Sequence, residues 1–402
     1  MVIKNVHPKQ ILLVWELGAN FGHLLRLSAI GEALIDRGHR VFYVVRDMRL
    51  ARELLSDAAV ILPSPCLPYV PVQRPPRSMA DILAGIGYTS SADLQHLIEA
   101  WMSIFSKLSP DCILTEYAPT AQFAATLATI PYLQLATGFD FPPPTAPLVN
   151  FRPWEATNNV QLLEGEKSIL ANVNDIRTAH GKKKLSQLSD LFPVAHALLT
   201  TWPELDHFNR TKAEWIGPIY HVNYGKGAAW PCANRPYRLL IYLRPSNHLP
   251  ELLTIFSAID ASIIAIIPGI PEKLMNQFSS SHCFISDVPV RLDTVINTAS
   301  LVISYAGHGF VTTALAHGIP LLLIPTNVEQ FLLAKRVHDQ RLGIALSPKE
   351  IPHQVVYAMR RLIENHGYKE RAMTFSKKYS GTSPTSTIET ILGRINQIIL
   401  SK

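Results

Sequence analysis

Two short stretches of glycine and polar residues directly follow apolar runs in the last third of the sequence. "YAGHGF", residues 305–310, follows the run "LVIS", and "EQ", residues 329–330, lies just beyond the run "LLLIP". Glycines let a backbone approach a ligand closely, and the free N–H groups at a helix start favour an anion such as a diphosphate. A carboxylate and an amide together can bind several hydroxyl groups. A diphosphate site beside a polyol site is typical of a pocket for a sugar nucleotide.

The elements around these stretches are predicted to be strands and helices in alternation. Ligands of open parallel sheets bind beyond the carboxyl ends of the strands, so both stretches should lie on one sheet edge. Arg244 and Ser246, in "IYLRPSN" after an earlier apolar run, are expected at the same edge, although they could equally shape a turn. The candidate donor-binding residues are Arg244, Ser246, Tyr305, Ala306, Gly307, His308, Gly309, Phe310, Glu329 and Gln330.

A histidine and a glutamate stand at corresponding places in the first half. His23 follows Gly22 in the predicted loop after "ILLVW", and Glu116 ends the run "DCILTE". An imidazole there can take a proton from a hydroxyl near neutral pH, and a carboxylate bound to one ring nitrogen leaves the other free. The local sequence alone also allows a surface histidine and an exposed acid.

The chain of 402 residues is long enough for two domains with separate cores. The segment from "QILLVW" to "VFYVV" reads as strand, helix and strand, and the same alternation restarts at "LLIYL" after a stretch rich in Gly, Pro and Asn. We therefore predict α/β domains at residues 1–216 and 238–380, with a linker at 217–237. A final helix, within 381–402, carries an apolar face that must pack on something.

Composition limits the possible partners. The net charge of +6 suits nucleic acid, an anionic membrane surface or a phosphorylated substrate, but the basic residues are scattered, which argues against nucleic acid. The four cysteines form no CxxC pair, which favours reduced thiols and a cytoplasmic location. The early apolar run is too short to span a bilayer, and neither an Asp-x-Asp motif nor a cluster with metal-ligand spacing occurs. No metal or cofactor is therefore expected.

The C-terminal half resembles the donor-binding domain of family 1 glycosyltransferases, of the UDP-glycosyltransferase and macrolide-glycosyltransferase type. The family pattern His-Gly-Gly-x-Gly-Thr, Ala-Leu, Gly-x-Pro, Pro and Asp-Gln is echoed by "YAGHGF", "AL", "GIP", "IP" and "EQ", and "GANFGHLLRLSAIGEALIDRGHRV" is similar to the family's first loop and helix. The resemblance implies the GT-B fold: two Rossmann-like domains facing a central cleft, with the last helix crossing back to the N-terminal domain. The sequence departs from the pattern at Tyr305, where the family has a pyrophosphate-binding histidine, at Phe310, where it has a small hydroxyl residue, and at Glu329, where it has Asp.

The resemblance also implies an activity and roles for residues. His23 matches the family's catalytic base and Glu116 the acid that orients it, so we expect inverting, metal-independent sugar transfer from a UDP- or dTDP-sugar to a hydroxyl. The acceptor domain would be the N-terminal one, and its "PCLPYVPVQRPP" and "GFDFPPPTAPLVNFRPW" segments favour a small, largely apolar natural product or lipid. The candidate acceptor-binding residues are Phe21, Tyr117, Phe139 and Phe141.

Two alternatives remain open at this point. A nucleotide-sugar 2-epimerase would share the fold and the donor site, and a non-catalytic nucleotide-sugar-binding protein would be consistent with Tyr305 and Phe310. The expected partners are a nucleotide sugar and a small acceptor, with peripheral membrane contact possible, in a monomer or homodimer.

Overall fold

A computed structural model describes residues 8–19, 21–55, 59–68 and 74–400. The chain divides into two compact units. The first contains Met1–Trp202, Arg210–Gly217 and Thr385–Lys402, and the second contains Pro203–Asn209 and Pro218–Pro384. Residues 203–209, which the sequence prediction places in the first domain, thus group with the second unit, as does the predicted linker from Pro218 onward. The roles predicted for the two domains, acceptor binding and donor binding, stay predictions.

The first unit is a parallel sheet with helices between its strands. Its strands are β1 (Gln10–Trp15), β2 (Arg40–Val45), β3 (Val60–Pro63), β4 (Cys112–Glu116), β5 (Tyr132–Ala136) and β6 (Ala197–Leu199). Its helices are α1 (Phe21–Ile35), α2 (Met48–Leu54), α3 (Met79–Ala84), α4 (Ser91–Leu108), α5 (Pro119–Ala128) and α6 (Asn159–Ala179). The strand order among the described residues is β3-β2-β1-β4-β5-β6, with every pairing parallel.

The second unit repeats this plan. Its strands are β7 (Tyr237–Tyr242), β8 (Ala261–Ile266), β9 (Cys283–Ser286), β10 (Leu301–Ser304), β11 (Leu321–Leu323) and β12 (Gly343–Ala345). Its helices are α7 (Leu249–Ser257), α8 (Glu272–Phe278), α9 (His308–Ala316), α10 (Val328–Asp339), α11 (Val355–Glu364) and α12 (His366–Lys378). The order is β12-β11-β10-β7-β8-β9, again with parallel pairings.

The central strands explain why the sequence shows unbroken apolar runs. Residues 11–14 of β1 and 301–303 of β10 have no solvent exposure, because helices cover both faces of a parallel sheet. Alternating polar residues would be buried on one face, so the runs are apolar throughout. The predicted α/β domains with parallel sheets are confirmed.

The last helix, α13 (Pro384–Leu400), belongs to the first unit, as predicted. Its Ile391 and Ile395 are fully buried, and the Thr387 hydroxyl donates to the backbone oxygen of Ile216 at 3.0 Å. Glu389 pairs with Arg37 at 2.6 Å. These contacts supply the partner that the apolar face of α13 requires.

No helix in the described part of the chain is long and apolar enough to cross a membrane. The four cysteines are free thiols. Part of the proline-rich segment predicted to line the acceptor site, residues 69–73, lies outside the described residues.

Candidate active site

The two sheets have the same type of switch point, where the strand order reverses. In the first unit it lies between β1 and β4, and in the second between β7 and β10. Loops leave the carboxyl ends of such neighbouring strands in opposite directions, which opens a crevice for a ligand. His23 follows β1 and Glu116 ends β4, and Arg244 and the glycine loop follow β7 and β10, whereas Glu329 and Gln330 follow β11.

His23 and Glu116 meet at the first switch point. Glu116 is the last residue of β4 and is opposite Trp15, the last residue of β1. His23 lies in the first turn of α1, so the structure corrects its predicted place in a loop. The Nδ1 atom of His23 is 2.9 Å from Oε1 of Glu116. The carboxylate can only accept, so Nδ1–H is the donor and Nε2 keeps its lone pair.

The neighbours of the His23 ring fix its orientation. Trp15 stacks on the ring with centroids 5.4 Å apart and planes 18° from parallel. On another side, an ideal Cβ built on Gly18 would lie 2.6 Å from Nε2. Gly18 has φ +84, a conformation that suits glycine, so both its backbone and the adjoining ring require a residue without a side chain.

Arg26, one turn after His23 on α1, completes the cluster. Its Nη2 donates to Oε1 of Glu116, its Nε lies 3.4 Å from Oε2, and Nη2 is also 3.3 Å from Nδ1 of His23. Both Arg26 and Glu116 are buried. Burial by itself would raise the pKa of Glu116, but the charge of Arg26 and the hydrogen bond from His23 outweigh it, so the pKa of Glu116 is lowered and the carboxyl stays ionised.

A second carboxyl, Asp140, lies in the loop after β5. Its Oδ1 accepts the backbone N–H of Thr137 at 3.0 Å, and its backbone oxygen accepts from the Gln134 amide at 3.0 Å. Burial and then the charge of Glu116 raise the pKa of Asp140 to about 7, against the opposing effect of Arg26. Two adjacent carboxyl groups thus have pKa values moved in opposite directions, a pattern common at active sites.

The four predicted acceptor contacts have varied surroundings. Phe21 opens α1 beside His23, and the Tyr117 ring is 6.4 Å from the His23 ring. Phe139 packs on Phe151 with centroids 4.6 Å apart, and Phe141 is buried under the Arg210 guanidinium at 5.3 Å. Phe139 and Phe141 therefore have packing partners within the unit, and the role of all four in binding an acceptor stays a prediction.

The glycine loop occupies the second switch point. Ser304 ends β10 and lies opposite Tyr242, the last residue of β7. Ala306 has φ +65, the left-handed conformation that favours glycine, and Gly307 caps α9. The helix begins at His308, so its first N–H groups lie just beyond the carboxyl end of β10.

Aromatic rings surround this loop. The Tyr305 ring lies over Gly307, where an ideal Cβ would be 2.9 Å from it. Tyr242 makes edge contacts with Tyr305 and Phe310, at centroid distances of 5.2 and 5.0 Å. The Arg244 guanidinium lies 5.4 Å above the Tyr305 ring. The structure thus brings a permanent cation to the position where the family pattern has a histidine.

Glu329 and Gln330, at the start of α10, differ in their burial and in their hydrogen bonds. Gln330 is buried, and its Oε1 accepts from the backbone N–H and the hydroxyl of Thr326, both at 2.9 Å. Asn327 caps the helix by accepting from the Gln330 N–H at 3.0 Å. The side-chain oxygen of Gln330 is therefore committed to the loop, while Glu329 is only partly buried.

The remaining donor candidates lie around α9. His308 is buried, and its ring stacks 6.5 Å from that of His207. Gly309 has open space where a Cβ would be, and Ser246 is exposed in the loop before α7. The donor roles of these residues stay predictions.

Sequence reasoning missed Arg26, Asp140, Trp15 and Tyr242. Arg26 had a signal, because residues three apart on a helix share a face and His23 was already singled out. Trp15 and Tyr242 are the last residues of the strands before the two candidate loops. Asp140 falls inside the proline-rich segment that was read only as apolar.

Among residues 8–19, 21–55, 59–68 and 74–400, no group of three or more His, Cys, Asp or Glu side chains could hold a metal ion. The independence of the reaction from metal stays a proposal.

Comparisons with known proteins bear on the fold and on the class of enzyme. Residues 250–392 match the family model of the erythromycin biosynthesis protein CIII-like C-terminal domain. The PGL/p-HBAD biosynthesis glycosyltransferase of Mycobacterium tuberculosis is 22% identical over 393 residues, covering 92% of this chain and 89% of the relative.

Two solved structures show the same fold. The calicheamicin glycosyltransferase CalG4 aligns with a TM-score of 0.72 at 17% identity, over 98% of this chain and 100% of its own. The spinosyn rhamnosyltransferase SpnG, complexed with spinosyn aglycone, aligns with a TM-score of 0.69 at 17% identity. The alignment covers 94% of this chain and 99% of SpnG. A structure of SpnG complexed with thymidine diphosphate aligns with a TM-score of 0.67 at 17% identity. The alignment covers 95% of this chain and 99% of SpnG.

These comparisons confirm the resemblance to natural-product glycosyltransferases and the GT-B fold. They also confirm that the chain is an enzyme of the glycosyltransferase class.

Proposed function

We propose that this glycosyltransferase moves a sugar from a UDP- or dTDP-sugar to a hydroxyl of a small, largely apolar acceptor, with inversion at the anomeric carbon and without a metal. The observation that carries the proposal is the hydrogen-bonded pair of the partly exposed His23 and the buried Glu116, joined at 2.9 Å at the switch point of the first sheet. The names of the relatives, which include a rhamnosyltransferase and a PGL/p-HBAD glycosyltransferase, support a lipid or polyketide-like acceptor.

In this proposal Nε2 of His23 removes the proton of the acceptor hydroxyl as the oxygen attacks the anomeric carbon. The imidazolium that forms is stabilised by Glu116 on Nδ1 and by the stacked ring of Trp15. The bond between the anomeric carbon and the diphosphate oxygen breaks on the opposite face, so the configuration inverts. The nucleoside diphosphate leaves with the electron pair of that bond.

The second unit would hold the donor. The N–H groups at the start of α9 and the guanidinium of Arg244 are the groups that could neutralise a diphosphate there. Glu329 is the better candidate for the sugar hydroxyls, because the oxygen of Gln330 already serves Thr326. Complexes of SpnG with thymidine diphosphate support a dTDP-linked donor.

The test is a reaction with dTDP- and UDP-hexoses and a panel of phenolic and polyketide acceptors in the presence of a chelator. We expect a glycoside with the anomeric configuration opposite to the donor's, detected by mass spectrometry and assigned by NMR. A product with retained configuration would contradict the proposed mechanism. Release of nucleoside diphosphate without any acceptor would instead favour the epimerase alternative.

The proposal extends to the location of the enzyme in the cell, its oligomeric state and its contact with membranes. We propose a cytoplasmic monomer or homodimer that can contact a membrane surface peripherally, because the net charge is +6 and the acceptor is apolar. Light scattering and co-sedimentation with anionic vesicles test the oligomeric state and the membrane contact.

A further inference from the structure

Arg26 is a buried cation inside the proposed catalytic pair, with no role so far in the reaction. Its side chain is 5% exposed and that of Glu116 is 1% exposed. Arginine at this depth costs free energy unless it is paired, and here both nitrogens that face Glu116 reach one carboxylate oxygen each. Oε1 of Glu116 thus accepts hydrogen bonds from both Arg26 and His23.

We propose that Arg26 is a positioning residue of the transfer reaction: it holds the Glu116 carboxylate in place and opposes the positive charge that His23 gains when it takes the proton of the acceptor. The inference rests on the proposed function, in which His23 takes the proton of the acceptor.

The reason is the charge that His23 gains. When Nε2 takes a proton, the ring becomes a cation whose Nδ1 lies 3.3 Å from Nη2 of Arg26. A like charge at that distance in a buried site opposes protonation, whereas Glu116 favours it. Arg26 therefore cancels part of the effect of the carboxylate. The imidazolium that forms during transfer therefore gives up its proton more readily after the reaction.

The other groups that face His23 do not reverse this conclusion. Asp140, after β5, would favour the cation when ionised, but burial raises its pKa to about 7, so it carries little charge in acidic solution. Tyr117, after β4, and Trp15, at the end of β1, are neutral rings. The balance at His23 is thus set mainly by Glu116 and Arg26.

The experiment follows the titration of the His23 ring by NMR in protein labelled at histidine, without substrate. His23→Ala identifies the signal among the 15 histidines. In Arg26→Gln, which keeps a hydrogen-bond donor and removes the charge, we expect the coupled pair of His23 and Glu116 to take up a proton roughly one to three pH units higher, as followed at the His23 signal. Arg26→Lys should stay close to wild type. Arg46→Gln is the control, because Arg46 is an exposed cation at the same sheet edge whose guanidinium donates to the backbone of Glu16.

An unchanged titration in Arg26→Gln would overturn the inference and leave Arg26 a structural counter-ion for Glu116. If that variant does not fold, Arg26→Met, which keeps an apolar stem, tests the same expectation. The acidic limb of kcat/KM should move upward with the NMR signal in the charge-free variant. Full transfer by His23→Ala would refute the proposed function alone, because the NMR titration is measured without turnover.

Discussion

Replacing Gly18 by alanine should disable His23 through a single methyl group. The new Cβ would lie 2.6 Å from Nε2, and an ordinary contact begins at 3.4 Å, so the ring must move by about 0.8 Å. That movement strains the 2.9 Å hydrogen bond to Glu116 and the stack on Trp15. A displacement of about 1 Å in a catalytic group can cost on the order of 10²-fold in rate, or about 2.7 kcal/mol of transition-state stabilisation.

Gly38 provides the matched control. Its φ is +83, close to the +84 of Gly18, but nothing lies within 4 Å of the Cβ that alanine would add. Both alanine variants should therefore lose roughly 1 to 2 kcal/mol of folding stability from the left-handed backbone. Thermal unfolding measures that shared loss, and kcat/KM measures the difference between the variants. If Gly18→Ala transfers sugar as fast as Gly38→Ala, the ring does not hold the position described here, or His23 is not the base.

Asp140 in the first unit and Tyr305 in the second give two further predictions. Burial raises the pKa of Asp140 to about 7 in the folded protein, whereas the ordinary value of 3.8 applies to the unfolded chain. The free energy of unfolding should therefore fall as the pH rises from about 4 to about 7. Asp140→Asn should recover roughly 3 to 4 kcal/mol of that stability at pH 8 but little at pH 4. Thermal melts of both proteins across that range would show a constant difference if this reasoning is wrong. Tyr305→His should tighten nucleoside diphosphate binding at pH 6 by about 1 kcal/mol relative to pH 8, because Arg244 above the ring limits the charge it can gain. Calorimetry that finds no dependence on pH would mean that residue 305 does not face the phosphates.

The two sheets could be predicted from the sequence because strands that are buried on both faces are apolar along their whole length. Runs such as "ILLVW" are apolar throughout, and helices between them must cross over, which fixes parallel pairing. The strand-end rule also brought His23 and Glu116 to one edge, where the structure joins them at 2.9 Å. Arg26 escaped notice because a lone arginine in an amphipathic helix usually faces solvent.

Other features depend on packing that no local pattern contains. Phe139 and Phe141 lie in a segment rich in aromatic residues, and their rings are buried. Phe139 packs on Phe151, later in the same segment, and Phe141 packs under Arg210, 69 residues further along the chain. Gln330 looked free to bind a sugar, yet its oxygen closes the loop at Thr326. Such outcomes require the positions of neighbouring side chains, because the residue type alone permits both roles.

The central claim is that His23 acts on the acceptor and not on the donor. The most direct measurement compares His23→Gln with wild type in one preparation, by calorimetry with thymidine and uridine diphosphates and by the rate of sugar transfer. The account predicts unchanged diphosphate binding and transfer slower by roughly 10²- to 10⁴-fold. Transfer at the wild-type rate, or loss of diphosphate binding together with transfer, would contradict it.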